Sequence, residues 1–325
     1  MNILLTGGAG YIGSNVVLAL LDSGHKVHVI DNLSTGNESL IPKNVKFSIC
    51  DIEDTVAVSN IIKNDNFDAI MHFAGYIQVE ESVNNPEKYF TNNTKNSISL
   101  FETCRDFGLK NIIFSSTASA YGISTNASVN EGDQLNPQNP YAESKVQAEN
   151  FLINNQTDFN FIILRYFNVA GADYNLRSGQ ISNKSTHLIK ILSEVIIKKR
   201  KNINIFGNDY NTHDGTAIRD YIHVSDLADI HLKTAEYLIK NQKSNIFNCG
   251  YGKGFSVLDV INTANNIYKD TVKFNFSSRR KGDVEKLIAN VNKITKFIKW
   301  KPKFDDLEVI IRSSVEWEKK LNENL

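Results

Sequence analysis

Asn2-Ile3-Leu4-Leu5-Thr6-Gly7-Gly8-Ala9-Gly10-Tyr11-Ile12-Gly13 decides the fold. A short apolar run passes directly into glycines at 7, 10 and 13, and an amphipathic helical pattern follows. The early glycines permit a tight turn and a close backbone approach to a pyrophosphate. Gly13 lets strand and helix pack closely, and the free N–H groups at the helix start, Tyr11 and Ile12 among them, suit an anion.

Glycines alone are a weak signal, because any tight turn can use them. Here a second element stands at the right distance. The next apolar run, 26–30, ends in Asp31, eighteen residues after Gly13. A carboxylate at that strand tip is placed to accept both hydroxyls of an adenine ribose, and it would repel a 2′-phosphate. NAD is therefore the expected cofactor rather than NADP. Asp51 and Ile52, after the third run, would flank the adenine. Phe73, Ala74 and Gly75, after the fourth, would pass beside the pyrophosphate.

Working outward, apolar runs at 2–6, 26–30, 45–50, 68–74, 111–116 and 160–166 alternate with helical patterns at 11–23, 54–64, 86–107 and 141–155. This is α/β alternation: a Rossmann-like, doubly wound parallel sheet with helices on both faces. Beyond Gly171 the rhythm loosens. A helix is expected over 187–200, a strand at 204–206, a loop through Arg219, and a helix–strand pair, 225–240 and 246–249, that returns to the first sheet. A helix at 257–268, a strand at 273–276 and a final helix at 305–321 complete a second, smaller α/β substrate lobe. The expected division is 1–170 with about 219–250 for the NAD-binding domain, and about 171–218 with 251–325 for the lobe.

Composition narrows the function. The 325 residues are 41% hydrophobic and 22% charged, ordinary values for a globular protein. The 36 basic and 36 acidic residues cancel. No global field draws in nucleic acid or an anionic membrane, so neither is an expected partner. With no basic leader and no eighteen-residue apolar stretch, a cytoplasmic location is expected. Cys50, Cys104 and Cys249 are odd in number, far apart and without metal-ligand spacing. They read as reduced, packed thiols, and no metal is expected.

Tyr141-Ala142-Glu143-Ser144-Lys145 carries the chemistry. Pro140 suits a helix start, and four-residue spacing puts Tyr141 and Lys145 on one helical face, about 6 Å apart along the axis. A tyrosine acting as a base near neutrality must lose roughly three pKa units, about 4 kcal/mol. A lysine ammonium together with a positively charged nicotinamide can stabilise the phenolate. Alone, Tyr-x-x-x-Lys is usually a surface pair; its place after the fifth strand of a dinucleotide-binding sheet gives it meaning. At the tip of that strand stands Ser115-Ser116-Thr117-Ala118-Ser119-Ala120-Tyr121-Gly122. Ligands of such sheets sit beyond the carboxyl ends of the strands, so the Thr117 hydroxyl is placed to meet a reacting sugar oxygen.

Together, TGGAGYIG, DNLSTG, FSSTASAYG, YAESK, LRYFNVAGA, IFGNDY, DGTAIRDYIHVSDLADIH and SSRRKGD resemble the UDP-galactose 4-epimerases of the extended short-chain dehydrogenase/reductase type, from residue 2 to beyond residue 310. The resemblance implies non-released NAD, UDP-hexose substrates and a homodimer. It makes Tyr141 the catalytic base and acid, Lys145 its partner and a ligand to the nicotinamide ribose, and Thr117 the third member of the set. Asn32, Asn92, Ser115 and Tyr166 join the cofactor-binding residues. Asn168 would bind the substrate diphosphate, and Arg219 and Arg280 match the family's phosphate-binding arginines, a task suited to a bidentate guanidinium. Asp283 would hold the uridine ribose and Phe206 would lie beside the uracil, with Leu188 and Tyr221 as further contacts in the substrate lobe.

The sequence departs from the family in three places. Ile77 stands where some members carry a lysine that donates to the cofactor. His187 stands where others have a substrate-facing asparagine, and is expected to be a substrate-lobe contact. Leu287 stands where a bulky tyrosine closes the hexose pocket in some members, which predicts room for an N-acetyl group. Two alternatives belong to other classes. A dehydratase or decarboxylase shares the first half, but dehydratases carry Asp-Glu where this chain has Ala118-Ser119. A non-catalytic NAD-sensing protein is disfavoured by the intact Thr117, Tyr141 and Lys145.

A carboxylate that holds the ribose hydroxyls should matter to how tightly the dinucleotide is kept. Asp31→Ala should weaken retention of NAD, assayed as dinucleotide released from purified protein, and a wild type purified with NADP would sink that expectation.

Overall fold

The computed structural model describes residues 1–323 except 125, 127, 183, 184, 270 and 281. Its first six strands are β1 (Asn2–Thr6), β2 (Lys26–Asp31), β3 (Lys46–Ile49), β4 (Ala69–His72), β5 (Asn111–Thr117) and β6 (Asn160–Tyr166). Then follow β7 (Asn168–Ala170), β8 (Ile203–Phe206), β9 (Ile218–His223), β10 (Asn245–Cys249), β11 (Gly254–Ser256), β12 (Phe274–Ser277) and β13 (Lys286–Leu287). Among the described residues, seven strands form one parallel sheet in the order β10-β6-β5-β4-β1-β2-β3. Ile3, Leu4 and Leu5 are all fully buried, which is why β1 reads as a continuous apolar run and not an alternating one. The return of β10 to this sheet is as the sequence predicts.

Strand order reverses between β1 and β4, and the crevice at such a switch point is where ligands of open α/β sheets bind. Glycine is needed there for space. A Cβ on Gly7, whose φ is +73°, would lie 2.6 Å from the Ala74 nitrogen, and one on Gly13 would lie 2.2 Å from the Gly7 carbonyl oxygen. The turn after β1 therefore rests directly on the backbone after β4.

Three expectations are corrected. The loop expected through Arg219 ends sooner, at Ala217: Arg219 stands in β9, which pairs with β7, β11 and β13. Its charges disguised it. The Asp220 carboxylate is fully buried and accepts the N–H groups of Tyr251 (2.8 Å), Gly252 (2.8 Å) and Ala289 (3.1 Å). Those donors make an acidic residue tolerable inside a sheet. The helical pattern over 86–107 is not one uniform α-helix. α-Helical Pro86–Tyr89 and Ser97–Asp106 flank a π-helical Phe90–Asn96, a distortion that recurs at functional sites. The helix expected over 187–200 ends at Ile196, and Lys198 adopts a left-handed φ of +65°.

Helices cover both faces of the large sheet. On one face Phe101 and Cys104 pack with Ile112, Phe114 and Phe161, while Phe107, just past that helix, is exposed. All three cysteines are free, with Cys104 and Cys249 buried. No helix among the described residues is long and apolar enough to cross a membrane.

The helix Pro140–Asn154 is locked onto the sheet by charge. Glu149 is fully buried and pairs with Arg165 of β6 at 2.6 Å, while Ser116 of β5 donates to the same carboxylate. Removing one partner of a buried pair leaves the other uncompensated, at a cost of about 3–5 kcal/mol. Arg165→Met should lose stability of that order in urea unfolding, and an unchanged midpoint would mean the pair is not structural.

Candidate active site

The β5 tip and the start of helix Pro140–Asn154 build the centre of the site. Asn139 caps the helix by accepting the Ala142 N–H at 2.9 Å, and Pro140 occupies the first turn. This fixes the register that puts Tyr141 and Lys145 on one face. Thr117 closes β5, accepts the Ser119 N–H at 3.1 Å, and hydrogen-bonds the Tyr141 phenol. The Lys145 side chain is buried, with Nζ 4.9 Å from the Phe114 ring centroid. A Cβ on Gly75 would lie 3.2 Å from that Nζ, so the ammonium sits against the segment after β4. Thr117, Tyr141, Lys145 and Gly75 thus converge.

Burial dominates the electrostatics. It pushes the Tyr141 phenol above its ordinary value, opposed by the Thr117 hydrogen bond. It also pulls Lys145 down to about 8, opposed by the Glu149 carboxylate one turn further along the helix. In the protein alone the phenol holds its proton. Further positive charge in the cleft is what would release it.

The nucleotide cradle fits a dinucleotide. Where Gly7 and Gly13 are walled in, a Cβ on Gly10 would meet only the Gly7 carbonyl, at 3.2 Å, leaving room for a ligand to approach the backbone. The Tyr11 hydroxyl is occupied by the Gly171 carbonyl at 2.6 Å, so Tyr11, Ile12 and Gly13 have their N–H groups to offer. At the β2 tip Asp31 accepts the N–H groups of Ala9 (2.9 Å) and Leu33 (2.8 Å), and each carboxylate oxygen keeps a further lone pair. Burial raises its pKa, against those two hydrogen bonds. Asn32 donates to Asp51 at 2.6 Å, and Ile52 is buried beside them in sequence. Asn92 donates to Asn93 at 2.9 Å. Phe73 lies 4.8 Å from the His231 ring, the Tyr166 hydroxyl lies 2.6 Å from His231 Nε2, and Ser115 stands opposite Leu164 in the β5–β6 pairing.

The residues expected to hold the substrate fall into two groups. Short strands align the first: Asn168 lies opposite Tyr221, and Leu287 opposite Arg219. Arg219 approaches Asp283 at 3.9 Å, and the Arg280 guanidinium lies 3.8 Å over the Phe206 ring. Leu287 is buried and packs with Ala118, Tyr121 and Phe167. It therefore joins the second sheet to the residue that follows Thr117. The other group, His187 and Leu188, stands at the start of helix Leu188–Ile196; His187 is 3.4 Å from Gln180, and burial keeps its imidazole neutral. Ile77, at the site of the expected missing contact, is exposed.

Two residues of the site escaped the sequence reading. Asn93, fully buried on the π-helical turn, bonds both backbone groups of Tyr76 at 2.9 Å and the Ser144 hydroxyl at 3.2 Å. Nothing in its neighbourhood marks it. Glu149 was legible, since Tyr141, Lys145 and Glu149 repeat at four-residue steps along one face.

The chain's residues 3–250 match the family model described as "NAD dependent epimerase/dehydratase family", and the chain belongs to that family of Rossmann-like, dinucleotide-using proteins. Along its length it is 42% identical over 325 residues to a UDP-glucose 4-epimerase of Azospirillum brasilense, covering 99% of this chain and 93% of that one. It is similar to the structure of a UDP-glucose 4-epimerase from Stenotrophomonas maltophila with bound NAD and formylated UDP-arabinopyranose, with TM-score 0.96, 31% identity and full coverage of both chains. A UDP-Glc/GlcNAc 4-epimerase from Campylobacter jejuni is 44% identical, with TM-score 0.85, over 98% of this chain and 99% of that one.

The geometry predicts that Tyr141→Phe keeps its dinucleotide while turnover falls about 100- to 10,000-fold, the range for loss of a general acid–base group. Turnover near wild type in cofactor-loaded Tyr141→Phe would remove Tyr141 from the chemistry.

Proposed function

We propose that this protein is a UDP-hexose 4-epimerase, interconverting UDP-glucose with UDP-galactose and also their N-acetylated counterparts. The observation that carries the reading is the convergence of Thr117, Tyr141 and buried Lys145 beside the cradle of Gly7, Gly10 and Gly13. When bound, the nicotinamide supplies a reversible hydride acceptor. Tyr141 removes the proton of the hydroxyl on carbon 4, with Thr117 holding that oxygen and Lys145 stabilising the phenolate. Arg219, Arg280 and Asn168 anchor the diphosphate while Asp283 and Phe206 hold the uridine. Loss of that proton together with the carbon-4 hydride leaves a 4-ketose, which turns about its bond to the anchored diphosphate and presents its other face; return of the hydride to that face inverts carbon 4, and Tyr141 returns the proton to its oxygen.

Ala118 and Ser119 follow Thr117 with no carboxylate to expel water across carbons 5 and 6, which argues against a dehydratase. We further infer that 1–170 with about 219–250 bind NAD while 171–218 and 251–325 bind the UDP-sugar, and that the protein works as a cytoplasmic homodimer. Light scattering of the purified protein at twice the monomer mass is the expected result. Product assay with the four UDP-sugars tests the reaction itself; no interconversion of UDP-glucose and UDP-galactose would overturn it.

Substrate breadth turns on Leu287. A tyrosine there would overfill the cluster shared with Ala118, and overpacking costs about 1–3 kcal/mol. Leu287→Tyr should abolish activity on the N-acetylated pair and spare the simple pair. Wild-type inactivity on UDP-N-acetylglucosamine would sink the assignment.

A further inference from the structure

His231, on the helix Val224–Asn241, is completely buried. Its Nδ1 lies 2.8 Å from the Leu227 carbonyl oxygen. A carbonyl only accepts, so Nδ1 carries the proton. Nε2 lies 2.6 Å from the Tyr166 hydroxyl, and in the neutral ring it is bare. Tyr166 must therefore be the donor. The imidazole packs against Phe73 and Tyr166, with centroids 4.8 and 5.4 Å away, and burial pulls its pKa down to about 4. The ring is neutral at working pH, and this direction of donation is fixed.

The Tyr166 hydroxyl has one proton, and it is committed to His231. Toward everything else the oxygen can only accept. Tyr166 closes β6 opposite Thr117 of β5, at the strand tips where Tyr141 works. Of the polar groups on a nicotinamide ring, the carboxamide amino group is a donor and the carboxamide oxygen is not. An acceptor at this place sorts one from the other.

We propose that His231 is a positioning residue of the cofactor site: by taking the only proton of the Tyr166 hydroxyl, it makes Tyr166 an acceptor that selects the N–H of a nicotinamide carboxamide. The proposal rests on the reading that Tyr166 borders the cofactor. Its role is orientation of the reacting ring, with no part in the proton transfer.

The test unfolds the loaded protein to free its NAD and refolds it in an equal mixture of NAD and nicotinic acid adenine dinucleotide, whose carboxylate has no N–H. Bound dinucleotides are released with acid and quantified by chromatography. Wild type should prefer NAD. His231→Leu frees the Tyr166 proton to meet a carboxylate, so the preference should narrow roughly tenfold, the scale of one hydrogen bond. His231→Gln, whose amide oxygen can accept from Tyr166, should restore most of it. Combining His231→Leu with Tyr166→Phe should add little to Tyr166→Phe alone, as for two residues acting through one contact. An unchanged preference in folded His231→Leu, or losses that simply add in the double variant, would overturn the role of His231 while leaving Tyr166 at the cofactor. Tyr166→Phe with unaltered binding of both dinucleotides overturns the underlying placement of Tyr166 instead, and decides the matter even where His231→Leu does not fold.

Discussion

The buried contact between Arg165 and Glu149 is what the geometry of the site rests on. Two charges withdrawn from water are costly unless every polar atom finds a partner. Here they do. Arg165 gives Glu149 bonds from Nε and Nη2, and from Nη1 it reaches the Tyr121 hydroxyl at 3.0 Å and the Glu131 carbonyl at 3.1 Å. Tyr121 in turn donates to Asn248 of β10 at 2.6 Å. Glu149 lies two turns beyond Tyr141 and one beyond Lys145 on the same helical face. Fixing its carboxylate between β5 and β6 fixes the rotation of the helix, and with it where the phenol and the ammonium point.

The same carboxylate sets the charge of the site. Burial would strip Lys145 of its proton at lower pH, and Glu149 opposes that, leaving the ammonium at about 8. Tyr141 is pushed the other way, toward holding its proton. A base that is protonated in the protein alone becomes competent when positive charge enters beside it. In the proposed reading, readiness for proton transfer is thereby tied to the presence of an oxidised, positively charged nicotinamide, the form that can accept a hydride.

The sequence was most informative where one backbone constraint governs a stretch. Continuous apolar runs and glycine spacing disclosed six of the sheet's strands and the return of 246–249, because parallel strands buried on both faces leave no polar alternation. Tyr141 and Lys145 followed from helical spacing behind Pro140. The second sheet was less legible. Strands β7, β11 and β13 are only two or three residues long, too short for any period to register. β9 was hidden by Arg219 and Asp220, whose charges mimic a loop until the backbone donors around Asp220 are seen. Asn93 was invisible because its partners, Tyr76 and Ser144, are distant in sequence.

That second sheet explains how anchoring and freedom coexist. Asp220 gathers backbone N–H groups from the segment after β10 and from Ala289, just past β13, and so holds Leu287 in register beside Arg219. The groups suited to a nucleoside diphosphate thus stand on stapled strands or stack on one another, as Arg280 does on Phe206. In the proposed reading the wall between them and Tyr141 includes Leu287 and Ala118, which pack together in one apolar cluster and offer a sugar no directional hydrogen bond from their side chains. A hexose tethered through its diphosphate loses little by turning against such a wall, whereas a ring of fixed polar partners would resist each half-turn. Rigid recognition at one end and undirected contact at the other is what inversion by rotation requires.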